Sequence, residues 1–480
     1  MAIVLRFPKA WQRRLDAQET EWAYNGLDAA ATAEIYETLA PQIEASPAAK
    51  RIYAFERICQ GPAMTMQLRG IRIDVEARRE AIARIKRDAK RVQKELSALV
   101  SARGAAPMLF TGRGFPPSTQ KVQTFLYEHC GVKARKNFDG GTTADKEALL
   151  AIAKQHPEVT EFCDKVLLLR DWQKQHEVLS AAVSSDGRMR CSFSVGATET
   201  GRWSSSSSPF GDGMNLFNID RRLRSIFVPD PGYMFVGLDY AQAESNCIAH
   251  LAEDENYIEA HKSGNVHVVA GRIFWPELSW TGDVAKDKAM MKNTQVPWRT
   301  VVDDDEPADT YYDQSKRAQH GLNYGLQAQG LARNTGMPLA AARVAHSRYF
   351  RGYPRIPIYH DSVAAQVKKY GSLTSPLGRK RQFFGRLWET STLREALANT
   401  PQGMVADALN IGLCHIWQEL DPDKCQILLT NYDSVLAQVR DGDTETVAHM
   451  KELLTFPITV NGRAMVIPVE ADIGHSWAEV

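Results

Sequence analysis

Two aspartates, each at the end of an apolar segment, are the residues whose positions first indicate chemistry. Asp239 closes the alternating segment that begins at Phe235, and Asp433 lies near the bend of QILLTNYDSVLAQV. A carboxylate in such a position loses hydration and needs a cationic partner. Two carboxylates held together raise each other's pKa unless divalent cations neutralise them. We therefore expect Asp239 and Asp433 to meet at a paired-metal site for phosphoryl transfer, although Asp239 alone is also compatible with a helix N-cap.

A third group of candidate residues lies between the two aspartates. Lys316, His320 and Tyr324 recur every four residues, so they share one face of a helix predicted to begin near residue 310 and end near residue 334. A cation, an imidazole and an aromatic ring in one row can hold a triphosphate and stack on a base. A solvated helix face with one aromatic anchor has the same spacing, and the spacing alone leaves both interpretations open.

Strands and helices must both be present to position these residues. Segments 235–240 and 426–439 predict strands, whereas 75–100 and 159–179 predict long helices. A chain of 480 residues is expected to form two or three subdomains. The net charge is only +1, so nucleic-acid binding would depend on local basic segments such as 78–94. That basic helix is also compatible with a simple solvated surface.

Composition excludes several classes of protein. Hydrophobic residues make up 44% of the chain and charged residues 24%, which is typical of a soluble protein. Because no segment approaches about 20 apolar residues, we expect no membrane span and no contact with a membrane. The seven cysteines include no CxxC pair, which favours reduced core thiols over a zinc site or a disulfide framework.

The order of DYAQAE, KRAQHGLNYG and NYDS is similar to motifs A, B and C of the family A (DNA polymerase I-like) DNA polymerases. TETGRWSS, RSIFVPDPG, GSLTSPLGRKRQF, REALANTPQGMVADAL and IGHSWAEV extend the resemblance over residues 52–480. It implies an α+β fold of the right-hand polymerase type, with an antiparallel palm sheet and helical thumb and fingers. Compact size and departures in motif B favour a bacteriophage-type member that acts as a monomer in the cytoplasm of a bacterial host.

The resemblance also divides the chain. Residues YNGLDAAAT, with Tyr24 and Asp28 one turn apart, resemble the third motif of a 3′-5′ exonuclease, but its other motifs have no counterpart here. We expect no proofreading in this chain; a separate exonuclease polypeptide, or a helix that merely packs on the polymerase body, remains open. The implied segments are 1–50 (exonuclease remnant or its C-terminal piece), 51–79 (start of the palm), 80–180 (thumb), 181–261 (palm, motif A), 262–395 (fingers, motif B, insertion near 275–309) and 396–480 (palm, motif C).

The implied reaction is attack of a primer 3′-OH on the α-phosphate of a dNTP paired with a DNA template. Asp239, Asp433 and the Tyr240 carbonyl are expected to hold two Mg²⁺ ions, with Mn²⁺ as an alternative ion. The acidic run DDDE at 303–306 is expected to be hydrated surface. The resemblance assigns nucleotide contacts to Lys316, His320, Tyr324, Gln242 and Glu244, and DNA contacts to Arg202, Asn215, Asn218, Arg394, Gln402 and Tyr432, while Ser118 and Lys121 at a helix start suit phosphate contacts.

Several of these positions carry specific expectations. Glu244 resembles the steric gate that crowds a ribose 2′-hydroxyl and so favours deoxyribonucleotides. Tyr324 replaces a phenylalanine, which implies weak discrimination against dideoxynucleotides, and Ala328 replaces a tyrosine, which implies a looser gate. His320 replaces a lysine, and we expect it to be charged when nucleotide is bound. Phe217 and Tyr432 replace the usual glutamine and histidine, so contacts to the primer end should differ.

Two other functions remain open at this stage. A single-subunit RNA polymerase shares the expected architecture and has a His-Asp-Ser motif C that NYDS partly resembles. It lacks the glutamate found at position 244. A non-catalytic DNA-binding subunit of a split replication polymerase would bind DNA without metal and without extension. The presence of both Asp239 and Asp433 favours an enzyme over this second alternative.

Overall fold

The computed structural model describes residues 16–106, 110, 114–137, 139–208, 211–298 and 309–480. Within these residues the chain forms an α+β fold, as the sequence predicts, in which helices surround one four-stranded sheet and several two-stranded ones. The helices are α1 (Ala17–Glu44), α2 (Pro47–Arg69), α3 (Val75–Ala102), α4 (Thr119–Gln123), α5 (Lys146–Gln155), α6 (Thr160–Ser180), α7 (Ala243–Leu251), α8 (Glu255–Lys262), α9 (Val266–Phe274), α10 (Val284–Asn293), α11 (Tyr311–Asn323), α12 (Ala328–Thr335), α13 (Leu339–Gly352), α14 (Arg355–Tyr370), α15 (Thr390–Glu419) and α16 (Thr444–Leu454).

The four-stranded sheet is the element that positions the two aspartates. Its strand order is β10-β11-β7-β14, and every neighbouring pair is antiparallel. The strands are β1 (Ile71–Arg72), β2 (Arg135–Lys136), β3 (Thr142–Thr143), β4 (Arg188–Met189), β5 (Ser192–Ser194), β6 (Ser204–Ser206), β7 (Tyr233–Tyr240), β8 (Ser372–Thr374), β9 (Lys380–Gln382), β10 (Cys425–Asn431), β11 (Ser434–Arg440), β12 (Ile458–Val460), β13 (Arg463–Met465) and β14 (Val469–Gly474).

The core around this sheet explains why β7 forms where it does. Phe235, Val236 and Leu238 are fully buried and join one apolar cluster with residues of β10, β11 and the long helix α15. The antiparallel pairing satisfies the backbone groups that this burial removes from water. Because Asp239 is exposed at the end of such a strand, the sheet fixes its backbone while leaving the carboxylate accessible.

Two helical bodies flank the sheet. In the first, helices α3 to α6 enclose an apolar cluster, and α3 contributes a buried stripe that includes Ala89, Val92, Leu96 and Val100 at three- and four-residue steps. In the second, helices α7 to α14 each contribute buried side chains to another cluster. Tyr349 anchors this second body because its buried hydroxyl donates to Asn323 Oδ1 at 2.7 Å.

Several sequence expectations about local structure need correction. The helix expected to continue to residue 334 ends at Asn323, and a separate helix, α12, begins at Ala328. The helix expected to start near Ser118 is α-helical only from Thr119 to Gln123 and continues as a π-helical turn over Thr124–His129. Helix α1 is present and contacts α2, but none of its residues is buried.

Other expectations concern what the chain contains. All seven cysteines are free thiols and six are buried, in agreement with the reduced core predicted from the sequence. None of the described helices combines the length and apolar character that a membrane span requires. Within the expected insertion, residues 284–293 form α10, whereas the acidic run at 303–306 lies outside the described residues.

Candidate active site

The sheet brings Asp239 and Asp433 to the same end of neighbouring strands. Ser434, the first residue of β11, pairs in register with Asp239 of β7, so Asp433 lies in the turn immediately beyond this pair. The backbone N–H of Tyr240 donates to the Asp433 carbonyl at 3.0 Å. Tyr432 adopts a positive φ of 59° in the turn, which allows β10 to reverse into β11 within two residues. The convergence predicted from the sequence is therefore present, although Asp239 ends a strand and caps no helix.

The electrostatics of the pair favour a bound cation. Loss of hydration raises the pKa of Asp239 to about 7, and the neighbouring charges of Asp433 and Glu470 act in the same direction. Loss of hydration also raises the pKa of Asp433, with a contribution from Glu244. The positive charge of Lys316 acts in the opposite direction and lowers the pKa of both carboxyl groups. Full ionisation of the pair at neutral pH thus requires positive charge.

Asp239 and Asp433 supply oxygen donors, which suit a divalent ion. Carboxylate oxygens are the ligands that Mg²⁺ prefers, and it commonly takes one or two of them together with water and phosphate oxygens. Among the described residues, no group of three or more His, Cys, Asp or Glu side chains is arranged to hold a metal. The Asp239–Asp433 pair therefore fits an ion that shares its coordination with substrate, and does not fit a closed structural site.

Glu244, in the first turn of α7, is the polar centre of the site. Its Oε1 accepts a hydrogen bond from Arg202 Nη2 at 2.5 Å, and its Oε2 accepts one from the Tyr324 hydroxyl. Burial and the Glu244 charge raise the pKa of the Tyr324 phenol, so this hydroxyl keeps its proton and acts as the donor. His320 Nδ1 lies 3.9 Å from the same Oε2. Both carboxylate oxygens of Glu244 are therefore engaged.

Helix α11 presents Lys316 and His320, and its end places Tyr324. The N–H of Leu326 donates to the Gly321 carbonyl at 2.9 Å, and the N–H of Gly325 donates to the Leu322 carbonyl at 3.0 Å. This pair of bonds is a Schellman motif, in which Gly325 takes the left-handed conformation at φ 77°. The ring of Tyr324 consequently lies at the helix C-cap, edge-on to His320 with 5.0 Å between ring centroids.

Two other residues expected to contact nucleotide or DNA have structural partners here. Gln242 precedes α7 with a positive φ of 54°, and its side-chain oxygen accepts from the N–H of Val266 at 2.7 Å. Arg202, expected to contact DNA, bonds Glu244 here and lies over the Tyr432 ring, 5.3 Å from its centroid. Tyr432 in turn lies 5.9 Å from the ring of Phe217.

The remaining candidate DNA contacts lie on several different elements. Asn215 caps a short 3-10 turn by accepting from the N–H of Phe217 at 2.9 Å, while Asn218 in the same turn is exposed. Arg394 is exposed on α15, and Gln402 is half-buried two turns further along. The Ser118 hydroxyl caps α4 by accepting from the N–H of Lys121 at 3.4 Å, in the first helical body.

Sequence reasoning missed two groups of charged residues. Glu470 on β14 pairs in register with Asp239, which adds a third carboxylate to the same face of the sheet as Asp239. The alternation of Glu470 and Asp472 along VEADIG was the signal that could have revealed it. The second group is Arg379, whose guanidinium bonds the buried Asp407 at 2.7 Å and Glu56 at 2.6 Å.

The fold defines the class of protein. The POL domain of Pol1 from M. smegmatis, in a complex with DNA primer-template and dNTP, has a TM-score of 0.75 to this structure at 23% identity, covering 95% of this chain and 75% of that one. The overall architecture is therefore that of a right-hand polymerase, as the resemblance implied.

The family follows from the sequence as a whole. The sequence model of DNA polymerase family A matches residues 84–479, and the chain belongs to that family. DNA polymerase I of Chloroflexus aurantiacus is 26% identical over 95% of this chain and 46% of its own length. The thermostable DNA polymerase I of Thermus aquaticus is 24% identical over 98% of this chain and 53% of its own length. The chain thus spans about half the length of these relatives.

Proposed function

We propose that this chain is a template-directed DNA polymerase that adds dNTPs to a primer 3′-OH with release of pyrophosphate. The observation that carries the proposal is the convergence of Asp239 and Asp433 across β7 and β11, with Lys316 close enough to lower the pKa of both. The family membership and the fold support the same reaction.

In this proposal Asp239, Asp433 and the Tyr240 carbonyl hold two Mg²⁺ ions. When bound, such ions lower the pKa of an attacking hydroxyl and neutralise the charge of a triphosphate. Lys316 and His320, both exposed on α11, bind the phosphates of the nucleotide. Tyr324 packs against the incoming base pair, and Gln242 helps to fix the start of α7 beside it. Glu244 lies where a carboxylate can exclude a ribose hydroxyl, which favours dNTPs over rNTPs.

The proposal extends to the subdomains and partners. Residues 80–180, which form most of the first helical body, are assigned to a thumb, and residues 262–395, which include α9 to α14 of the second body, to fingers, while 51–79, 181–261 and 396–480 form the palm. The partners are dNTPs and primer-template DNA, bound through the DNA-contact residues named above. We further propose a monomer that acts in the bacterial cytoplasm, in phage replication, with any proofreading supplied by a separate polypeptide.

Primer extension tests the proposal directly. Wild-type protein with Mg²⁺ and dNTPs should extend a primed DNA template, whereas Asp239→Ala and Asp433→Ala should each lose extension. Asp361→Ala, which removes an exposed carboxylate on α14, is the matched control and should extend normally. Extension by both aspartate variants would contradict the proposal. Efficient use of rNTPs would favour an RNA polymerase, and metal-independent DNA binding without extension would favour a non-catalytic subunit.

A further inference from the structure

Three aromatic side chains near the end of α14 are exposed to a degree that folding does not explain. Tyr370 is 64% exposed, Phe384 is 81% exposed and Trp388 is 70% exposed. The residues that precede two of these rings are not exposed. Phe383, before Phe384, is buried, and Leu387, before Trp388, is half-buried, and both belong to a small apolar cluster. Phe383 and Leu387 therefore anchor the loop, while the neighbouring rings of Phe384 and Trp388 remain exposed to solvent.

The backbone brings the three rings to one place. The N–H of Phe383 donates to the Gly371 carbonyl at 2.8 Å, which extends the β8–β9 pairing and brings the next residues, Tyr370 and Phe384, to the same end of the hairpin. Leu387 Cδ1 lies 3.8 Å from the position that a Cβ on Gly371 would occupy. Trp388, the next residue, is thereby held beside the same end of the hairpin.

Positive charge surrounds these rings. Residues 368–389 contain six basic side chains and one acidic side chain. Arg379 and Arg381 are bound to carboxylates, but Lys368, Lys369 and Lys380 are exposed and have no carboxylate within 4.0 Å in the part of the chain that the structure describes. The Lys369 ammonium group lies 4.8 Å from the centroid of the Tyr370 ring. Lys369 therefore lies beside one ring, and Lys380 shares a face of the hairpin with Phe384, because alternate residues of a strand point the same way.

We propose that this surface binds single-stranded nucleic acid, and, on the basis of the proposed function, that the strand is the unpaired template ahead of the site. Exposed rings can stack on bases of any sequence, and the lysine ammonium groups can pair with the phosphates that link those bases. A protein-docking surface is disfavoured, because lysine is depleted where aromatic residues form the core of such interfaces. The aromatic-basic patch consists of Lys368, Lys369, Tyr370, Lys380, Phe384 and Trp388.

The position of the patch supports this assignment of the strand. Phe383 and Leu387 belong to the same apolar cluster as Tyr324, whose hydroxyl bonds Glu244. A single apolar cluster therefore connects the residues that anchor the patch to the nucleotide-binding residue Tyr324. A template strand that leaves the base pair at Tyr324 can reach the exposed rings of Phe384 and Trp388 within a few nucleotides.

Fluorescence anisotropy with primer-templates that differ only in the template overhang tests the proposal. Wild-type protein should bind a twelve-nucleotide oligo-dT overhang more tightly than a one-nucleotide overhang. Phe384→Ala and Trp388→Ala should each weaken binding of the long overhang by about tenfold, the usual effect of losing one stacked base. Lys368→Gln with Lys380→Gln should flatten the salt dependence of that binding by about 1.4 in the log–log slope. Trp22→Ala, which removes an exposed tryptophan from the acidic helix α1, is the matched control.

The outcomes separate this inference from the polymerase proposal. Phe384→Ala and Trp388→Ala should bind the one-nucleotide overhang and extend it as wild type does, and Trp388→Phe should restore binding of the long overhang. Unchanged affinity for the long overhang would overturn the inference, as would equal losses on both overhangs. If wild-type protein extends no primer, the polymerase proposal fails, whereas the overhang dependence of anisotropy still decides whether the patch binds single strands.

Discussion

Replacing Asp239 by asparagine should stabilise the fold while it abolishes nucleotide addition. Asparagine has nearly the same shape as aspartate but carries no charge, so it removes the repulsion that Asp239 shares with Asp433 and Glu470. A carboxyl group whose pKa is raised in the folded state binds its proton more tightly there than in the unfolded chain. Its ionisation therefore costs folding free energy as the pH rises from about 4 to about 7.

The size of the effect follows from the same shift. A rise in the pKa of Asp239 from 3.8 to about 7 would correspond to at most about 4 kcal/mol at neutral pH. The side chain is partly exposed, however, and water and salt screen the charges around it, so we expect about 1 kcal/mol. For a chain of this size, such a gain raises the apparent midpoint of thermal unfolding by about 2 °C or less.

Thermal unfolding in EDTA, with wild type and Asp239→Asn measured side by side, provides the assay. At pH 8 the variant should unfold at the higher temperature, and the difference should shrink below pH 7 and vanish near pH 4. Added Mg²⁺ should stabilise only the wild type, because a ligand stabilises the state that binds it. Asp361→Asn serves as the control. A variant that is no more stable at pH 8, or that keeps its advantage at pH 4, would refute the reasoning.

Three further predictions follow from the site and its support. His320→Gln should raise the KM for dNTPs, because it removes an exposed imidazole from the face of α11 that is proposed to bind the phosphates; an unchanged KM with full activity would exclude that role. Tyr324→Phe should discriminate more strongly against dideoxynucleotides than wild type does, and equal chain termination in sequencing-type reactions would show that the hydroxyl is irrelevant. Asp407→Asn should lower the free energy of unfolding by about 3 kcal/mol in urea titrations, since it leaves the buried Arg379 with a weakened partner set; a loss under about 0.5 kcal/mol would contradict this.

The sequence predicted three strands of the central sheet, β7, β10 and β11, because these strands carry a strong local signal, whereas β14 was missed. The alternation that begins at Phe235 and the apolar hairpin around Asp433 both result from burial against a core. A two-residue alternation of side chains indicates a strand with one buried face. Helix ends were predicted less well. The Schellman motif at Gly325 depends on two backbone hydrogen bonds and on a left-handed glycine. A glycine within a helical pattern is compatible with a helix end at that point but does not require one.

Contacts between distant segments were the least predictable part of the site. The register that sets Glu470 opposite Asp239 joins residues more than two hundred positions apart, and no local pattern specifies it. The exposure of helix α1 was not predicted either. Its apolar residues suggested packing, but Trp22 and Tyr24 are each 64% exposed, since nothing in the described structure covers them.

The contacts of Glu244 link two positions at which this sequence differs from the family pattern, 324 and 328. The resemblance associates the gate with a tyrosine at position 328, and Ala328 cannot donate a hydrogen bond, so a looser gate was expected. The structure instead provides a donor from position 324, because α11 ends there and directs the phenol toward Glu244. The Tyr324 hydroxyl has one proton to donate, so it can replace a missing 3′-hydroxyl as a donor only when its bond to Glu244 breaks. Selection at the 2′ and 3′ positions of the sugar should therefore be coupled in this protein, and Tyr324→Phe should change the use of rNTPs as well as of dideoxynucleotides.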